Sequence, residues 1–415
     1  GTAAWGGRSL LGNTTTKNEI TLTGNHGGQN VYGGWTSGTG STATGENAKN
    51  HSIDNTITFN GAAATDTVGN MFGGLTASLR VAHAAAHDGA PLPAGVVAMI
   101  AAPVLAAGWE RAVLAPPSPR HRVLVATEGG EVVGTTYGGS VGGTGKAEKN
   151  IVTVTGGTVK GDIYGAESTS GSAMGNKVYI KGGSASSSDV YGGKSASGDA
   201  TKNEVTITAG SVSNIDGGRT GSGNATDNTV NIGDGQAAYT GSISGNINGG
   251  SSSVGGRDYT TSNKLNVYAN AAAGNINNFA EINFRFNEYV NKNATFLTLT
   301  DGNGTKLRSL SDLKLHGTHN HKGTLIQSAN AITISDGKDR LGKTEDTKES
   351  VLVKSTDGKK ITYESYIFKG ATTPTTDDEG AHKDIFGGRS ILGNTTTENT
   401  ITVSDAVTYR NAYGG

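Results

Sequence analysis

Cysteine is absent from all 415 residues, so neither disulfides nor thiolate metal sites are available. Excess charge is absent too: 34 basic residues face 35 acidic ones, which leaves no electrostatic footprint for nucleic acid or another polyanion. Proline is scarce, and six of the seven lie between residues 91 and 119. Hydrophobic residues reach only 34% and aromatic residues 6%. The longest apolar run, residues 94–109, falls short of the ~20 residues a membrane span needs, and Pro103 interrupts it. No membrane span is expected. No secretory signal opens the sequence, which starts inside a repeat and reads as a piece of a longer protein.

Glycine is plentiful: 66 residues, more than twice the usual share of ~7%. It recurs as a pair after an aromatic residue, at Trp5, Tyr32, Phe72, Tyr137, Tyr191, Phe386 and Tyr413, and after Ile215 and Ile247 within one further residue. A second phrase is an Asn followed by an alternating strand, as in Asn150-Ile151-Val152-Thr153-Val154 and Asn203-Glu204-Val205-Thr206-Ile207. Others start at Asn18, Asn55, Asn176, Asn228, Asn263 and Asn399. Asn203 follows Asn176 by 27 residues and precedes Asn228 by 25. One such unit cannot bury its apolar face alone, whereas stacked units can, each strand pairing with its equivalent ~4.8 Å away.

The fold class expected is therefore all-β, a parallel β-helix (β-solenoid), with one α-containing insert. Gly-Gly is expected to turn a corner through positive φ and close backbone approach. The aromatic before it is expected to fill a corner of the core. The leading Asn is expected to tolerate the left-handed conformation and to stack into a ladder on itself. Thr21, Thr58, Thr153, Thr206 and Thr402 fit an outer face.

The repeats divide the chain. Residues 1–74 and 134–268 read as β-helix coils, 269–385 as irregular β coils or a cap, and 386–415 as coils resuming. Residues 386–397 nearly copy 5–16: Arg389-Ser390-Ile391-Leu392-Gly393-Asn394 against Arg8-Ser9-Leu10-Leu11-Gly12-Asn13. Residues 75–133 differ in kind: rich in Ala, Pro and Arg, without Lys or Asn, they read as broken helix followed by a hairpin of Arg122–Val125 with 128–133. The 14-residue step from Val123 to Tyr137 nearly matches the 13 from Val178 to Tyr191, so 122–125 also fits the strand slot of a coil.

Two resemblances rest on these residues. Leu79-Arg80-Val81-Ala82-His83-Ala84-Ala85 and the run 121–134 resemble the N-terminal portion of a GNAT-type acetyltransferase. The Gly-rich acetyl-CoA loop of that family does not follow, so no acetyl transfer is expected; a foreign insertion, an assembly artefact or a grown loop would account for the block. The Tyr-Gly-Gly and Asn-led repeats, with residues 275–284, 295–300 and 323–327, are similar to the passenger region of bacterial autotransporters (type V secretion). That resemblance implies a surface-displayed, outer-membrane-anchored parent, extracellular at the bacterial cell surface and often an adhesin. The function expected is non-enzymatic: adhesion to host surface or matrix molecules, or self-association with like chains, through a long β-helix face. The alternatives are a glycan-cleaving β-helix enzyme and a purely structural stalk.

Candidate chemistry is sparse. His316, His319 and His321 lie close enough to suggest Zn or Ni, but a polar turn is the simpler account and no carboxylate completes a site. His83 and His87 lack the Glu that a metalloprotease places after its first His; Ala84 stands there. Glycan-cleaving β-helices need carboxylates, alone or with Arg or Lys, from adjacent coils. The position after each leading Asn reads Glu19, Thr56, Ile151, Lys177, Glu204, Thr229, Lys264 and Thr400, which is no acidic column. Lys177 and Glu204 are expected to form an exposed ion pair. No catalytic residue, metal or cofactor is assigned.

Overall fold

The computed structural model describes residues 3–6, 8–9, 15–37, 52–53, 55–60, 67–73, 75–77, 122–125, 130–142, 146–317, 321–371, 375–376, 383–400 and 409–413. They are nearly all strand; among them the one helical element is the single 3-10 turn Leu310–Asp312. The chain divides into two compact units, residues 1–265 with 277–280, and 266–276 with 281–415.

The first unit is a parallel β-solenoid of eight stacked turns. Four strands make a coil here, Val190–Tyr191, Lys194–Ser195, Ala200–Thr201 and Glu204–Val212. Each pairs in parallel with its counterpart one coil away: Val190 with Ile163 and Ile215, Lys194 with Glu167 and Arg219, Val205 with Val178 and Val230. The alternation expected from the sequence decides what is buried. Val152, Val154, Val178, Ile180, Val205, Ile207, Val230 and Ile232 all lie in the core, each contributing roughly 1.5–3 kcal/mol of apolar burial.

The Asn ladder forms as expected. Asn150, Asn176, Asn203 and Asn228 each donate their backbone N–H and side-chain amide to the Oδ1 of the Asn in the next coil, ending at Asn263. The spare amide hydrogen of Asn176, Asn203 and Asn228 goes to the carbonyls of Ala147, Ala173 and Ala200. Every donor and acceptor of a buried amide is thus used, which low-dielectric burial demands.

Two local expectations need correcting. The left-handed residue is not the leading Asn but the one before it: Lys17, Lys149, Lys202, Asp227 and Glu398 have φ of 51–59°. That kink swings the Asn side chain inward, where the ladder holds it in extended backbone. Gly192 and Gly193 do not take positive φ; their need is space. A Cβ on Gly217 would lie 2.6 Å from the Gly249 carbonyl oxygen, and one on Gly193 would lie 2.7 Å from the Asn203 side chain. The aromatic residue is buried, as expected: Tyr32, Phe72, Tyr137, Tyr164 and Tyr191 form one core cluster, each following a buried Val31, Met71, Thr136, Ile163 or Val190 on the same strand. Ring centroids run Tyr32–Phe72 4.9 Å, Phe72–Tyr137 5.0 Å, Tyr137–Tyr164 5.0 Å and Tyr164–Tyr191 4.8 Å, so each ring covers its neighbours.

The block at 75–133 is part solenoid. Leu75–Ala77 pairs with Trp35–Ser37 and with 140–141. Arg122–Val125 fills a coil slot between Thr56–Asn60 and Ile151–Val154, and Glu131–Val132 pairs with 67–68 and 158–159. The hairpin is therefore overturned: these strands pair in parallel with neighbouring coils, because the solenoid offers both a matching edge. The helical part of that expectation and His83 and His87 lie outside the described residues.

The second unit is mixed. Ala271–Ala273, Leu297–Leu299 and His321–Ser328 pair in parallel, and the sheet then turns antiparallel through Lys360–Ile367, Lys348–Lys354 and Arg340–Thr344. Beyond it the repeat resumes: Glu398 takes the left-handed kink, and Phe386 stands in register with Tyr413.

Candidate functional site

In the first unit, three successive coils bring charged and phenolic groups together beside the aromatic ladder. The residue two places before each ring forms a ladder of its own. Asn30 Oδ1 accepts from Asn70 N (3.0 Å), Asp162 Oδ1 from Asp189 N (3.1 Å), Asp189 Oδ1 from Asn214 Nδ2 (2.9 Å), and Asn214 Oδ1 from Asn246 N (2.7 Å). The other oxygens of the two acids accept from the rings that follow, Tyr164 to Asp162 at 3.0 Å and Tyr191 to Asp189 at 3.1 Å.

Across the Gly-Gly bend, Glu167, Lys194 and Arg219 form one cross-strand column. Lys194 Nζ lies 3.1 Å from Glu167 and 4.9 Å from the Tyr164 ring centroid. Arg219 donates to the Tyr191 hydroxyl at 3.1 Å and covers that ring at 5.6 Å. Burial, then the Asp162 and Glu167 charges, push the Tyr164 phenol far up; burial and the Asp189 charge do the same for Tyr191. Both stay protonated and act as hydrogen-bond donors.

Asp216 ends the ring ladder, standing where earlier coils carry Tyr. It is buried, its Oδ1 has no hydrogen-bond partner, and Arg219 is 4.0 Å away. Burial pushes its carboxyl up to about 6. The sequence reading missed this group because it followed only the position after the leading Asn. The signal was available: Asp162, Asp189, Asn214 and Asn246 recur at a fixed place before each aromatic or its substitute.

In the second unit an open cleft of about 510 Å³ lies between Leu313–His316 and the hairpin 340–352. Its lining includes the buried Leu313 and Leu352, the lysines Lys314, Lys343 and Lys348, and His316. His316 Nε2 is 2.6 Å from Asn283 Oδ1, and burial, then Arg285, holds its imidazole below the ordinary value. His321 is placed elsewhere, with Nδ1 2.7 Å from the Tyr363 hydroxyl and Nε2 3.4 Å from Asn293. His319 lies outside the described residues. Among the described residues, no three His, Cys, Asp or Glu side chains gather to hold a metal ion. Likewise no described helix is long and apolar enough to cross a membrane.

Comparison with protein-family models, with curated proteins and with solved structures gives no match.

Beside the cleft, Glu349 is almost fully buried and serves one loop. Its carboxylate accepts from Ser390 Oγ (3.1 Å), from the backbone N–H of Ile391, from that of Leu392 (3.2 Å) and from Asn394 Nδ2 (2.6 Å). Asn394 N closes the turn onto Ser390 Oγ at 2.8 Å, and Gly393 supplies φ +84°.

Proposed function

We propose that the chain is a non-enzymatic, surface-displayed segment of the autotransporter-passenger kind, extracellular at a bacterial cell surface. It acts through its long stacked face in adhesion to host surface or matrix molecules, or in self-association. The observation that carries this reading is the fate of the polar groups along that face. Asp162, Asp189, Glu167, Lys194, Arg219 and the tyrosine hydroxyls are engaged with one another and with the backbone from coil to coil. Such a column makes a stiff, regular surface.

The test is retention of the labelled chain on immobilised matrix glycoprotein and on immobilised copies of itself. Saturable retention on either supports the reading; retention on neither sinks it. A structural stalk would keep its partner domain's binding when coils are deleted and would merely become shorter.

One observation favours a second reading, a glycan-cleaving enzyme: Asp162, Asp189 and Asp216 lie on successive coils with Lys194 and Arg219 beside them. Release of new sugar ends from an acidic polysaccharide, abolished by Asp216→Asn, would decide for it.

A further inference from the structure

Three Asn-Gly pairs occur in the chain, at 60–61, 248–249 and 303–304. The pair is chemically special. Glycine has no side chain to hinder its own nitrogen, so that nitrogen can close on the side-chain carbonyl of the preceding Asn and form a cyclic imide. The first pair runs beyond the described residues. The other two lie within them, in very different surroundings.

Asn248–Gly249 is locked into the solenoid. Asn248 ends the strand Ile247–Asn248, which pairs with Ile215–Asp216. Its Oδ1 accepts from Asn277 Nδ2 at 3.0 Å, and the Gly249 N–H donates to the Asn277 carbonyl at 3.0 Å. Gly249 is buried as well. Both reacting groups are therefore held by hydrogen bonds to the next coil.

Asn303–Gly304 lies in the turn between Leu297–Leu299 and Lys306–Leu307, within the second unit. Asn303 is exposed. Its backbone N–H and its side-chain amide both turn back to Asp301 Oδ1, at 3.1 and 2.9 Å. The Gly304 N–H donates to no group among the described residues. Gly304 has φ +72°, a region that glycine enters freely.

We propose that Asn303 is a self-modification site, where the side-chain amide becomes an acid without an enzyme. The Gly304 nitrogen forms a bond to Asn303 Cγ, the Cγ–Nδ2 bond breaks, and Nδ2 leaves as ammonia with the proton that Gly304 gives up. Water then opens the imide. Opening at the side-chain carbonyl restores the main chain and gives aspartate. Opening at the backbone carbonyl leaves the main chain running through the side chain and gives isoaspartate. Either product places a second carboxylate beside Asp301 and removes the amide that Asp301 now accepts from. Isoaspartate also lengthens the main chain between two anchored carbonyls, Gly302 held by Asn330 Nδ2 at 2.6 Å and Gly304 held by Asn275 Nδ2 at 2.8 Å. The modification thus loosens a turn tied to coils on both sides, whatever partner the chain has.

The test is to incubate the whole chain in mildly alkaline buffer, digest it under acidic conditions, and resolve the Asn-Gly peptides by chromatography and mass spectrometry. A parallel sample is held unfolded in urea. In the folded chain Asn303 is expected to convert at least about tenfold faster than Asn248, which must wait for its coil to open. Both aspartate and isoaspartate are expected at 303, and conversion should slow in mildly acidic buffer, where the Gly304 nitrogen loses its proton less readily. In urea the two rates should converge. Asn303→Gln, whose longer side chain closes on the nitrogen less readily, should remove the product while keeping an amide in the turn. Equal folded rates at 303 and 248 overturn the proposal. So does an Asn303 that stays intact in the folded chain while it converts in urea.

Discussion

Asn203 in the first unit and Glu349 in the second solve the same problem in different ways. Asn203 passes its hydrogen bonds along: it accepts from Asn176 and donates to Asn228 and Ala173, and each neighbour repeats the pattern. Glu349 gathers four donors from a single loop and passes nothing on. Repetition makes the first unit's stability collective; the second unit's clasp is local. The largest test of that contrast is Asn203→Ala. It strands the Asn176 amide and backbone N–H and the Ala173 carbonyl in a dry interior, at ~1–3 kcal/mol for each buried orphan, so about 4 kcal/mol is expected. The urea midpoint of the whole first unit should fall. Glu349→Leu should leave that midpoint alone and instead speed tryptic cleavage at Arg389. If Asn203→Ala loosened one coil only, the collective picture would be wrong.

Asp216 sharpens the contrast within the first unit, being the place where a ladder ends in a charge. Burial pushes its carboxyl up to about 6, above the ordinary aspartate value. The folded state therefore holds the proton more tightly. The group's contribution is present below about pH 4 and is lost as pH rises through about 6, amounting to up to about 3 kcal/mol. Asp216→Asn removes that loss and matches Asn248, the residue paired with it in the next coil. Melting temperatures of both proteins from pH 4 to 8 should diverge in favour of the variant as pH rises through 6. A constant difference across that range would refute the assignment.

The glycines give a smaller effect with a built-in control. Gly193→Ala pushes a methyl group into the Asn203 side chain at 2.7 Å, and overpacking of that kind costs ~1–3 kcal/mol. Gly255→Ala meets nothing within 4 Å and needs no unusual φ, so it should be neutral or slightly stabilising. Equal thermal shifts in the two variants would mean that the Gly-Gly pair is not there for space.

These residues also show what the sequence could and could not convey. The Asn ladder, the buried Val and Ile pairs and the strand slot at 122–125 follow from period and spacing, because parallel stacking places equal phases in contact. The left-handed kink was misplaced by one residue, since that position holds not only Lys17, Lys149 and Lys202 but also Gly175, Asp227 and Ser262, so no single side chain marks it and backbone geometry unites them. The ring ladder follows from the same phase, since Tyr32, Phe72, Tyr137, Tyr164 and Tyr191 recur at one place in the repeat and pack into one buried cluster. In the second unit antiparallel pairing breaks the phase, so nothing local linked Glu349 to a loop more than 40 residues away. Of the histidines, the sequence showed proximity; the different partners of His316 and His321 were set by strands distant in the chain.

The smallest expected effect concerns charge. Lys177 and Glu204 stand directly across neighbouring strands at 2.8 Å, as the alignment of repeats implied, and the hydrogen bond to Glu204 raises the Lys177 value. Lys343, near the end of the strand Arg340–Thr344, and Glu345 just beyond it meet at 2.7 Å in the second unit, both more exposed. Distance alone would rank the pairs equal. Exposure does not, since water screens the second pair on all sides and its long side chains lose entropy for little return. A double-mutant cycle should therefore give a coupling of about 0.5 kcal/mol for Lys177–Glu204, and none that can be measured for Lys343–Glu345. The first should vanish in ~1 M salt, where the screening length shrinks to ~3 Å. A coupling at Lys343–Glu345 equal to that at Lys177–Glu204 would show that stacking into a column adds nothing to an ion pair, and would remove charge from the list of features that distinguish the solenoid from the unit that follows it.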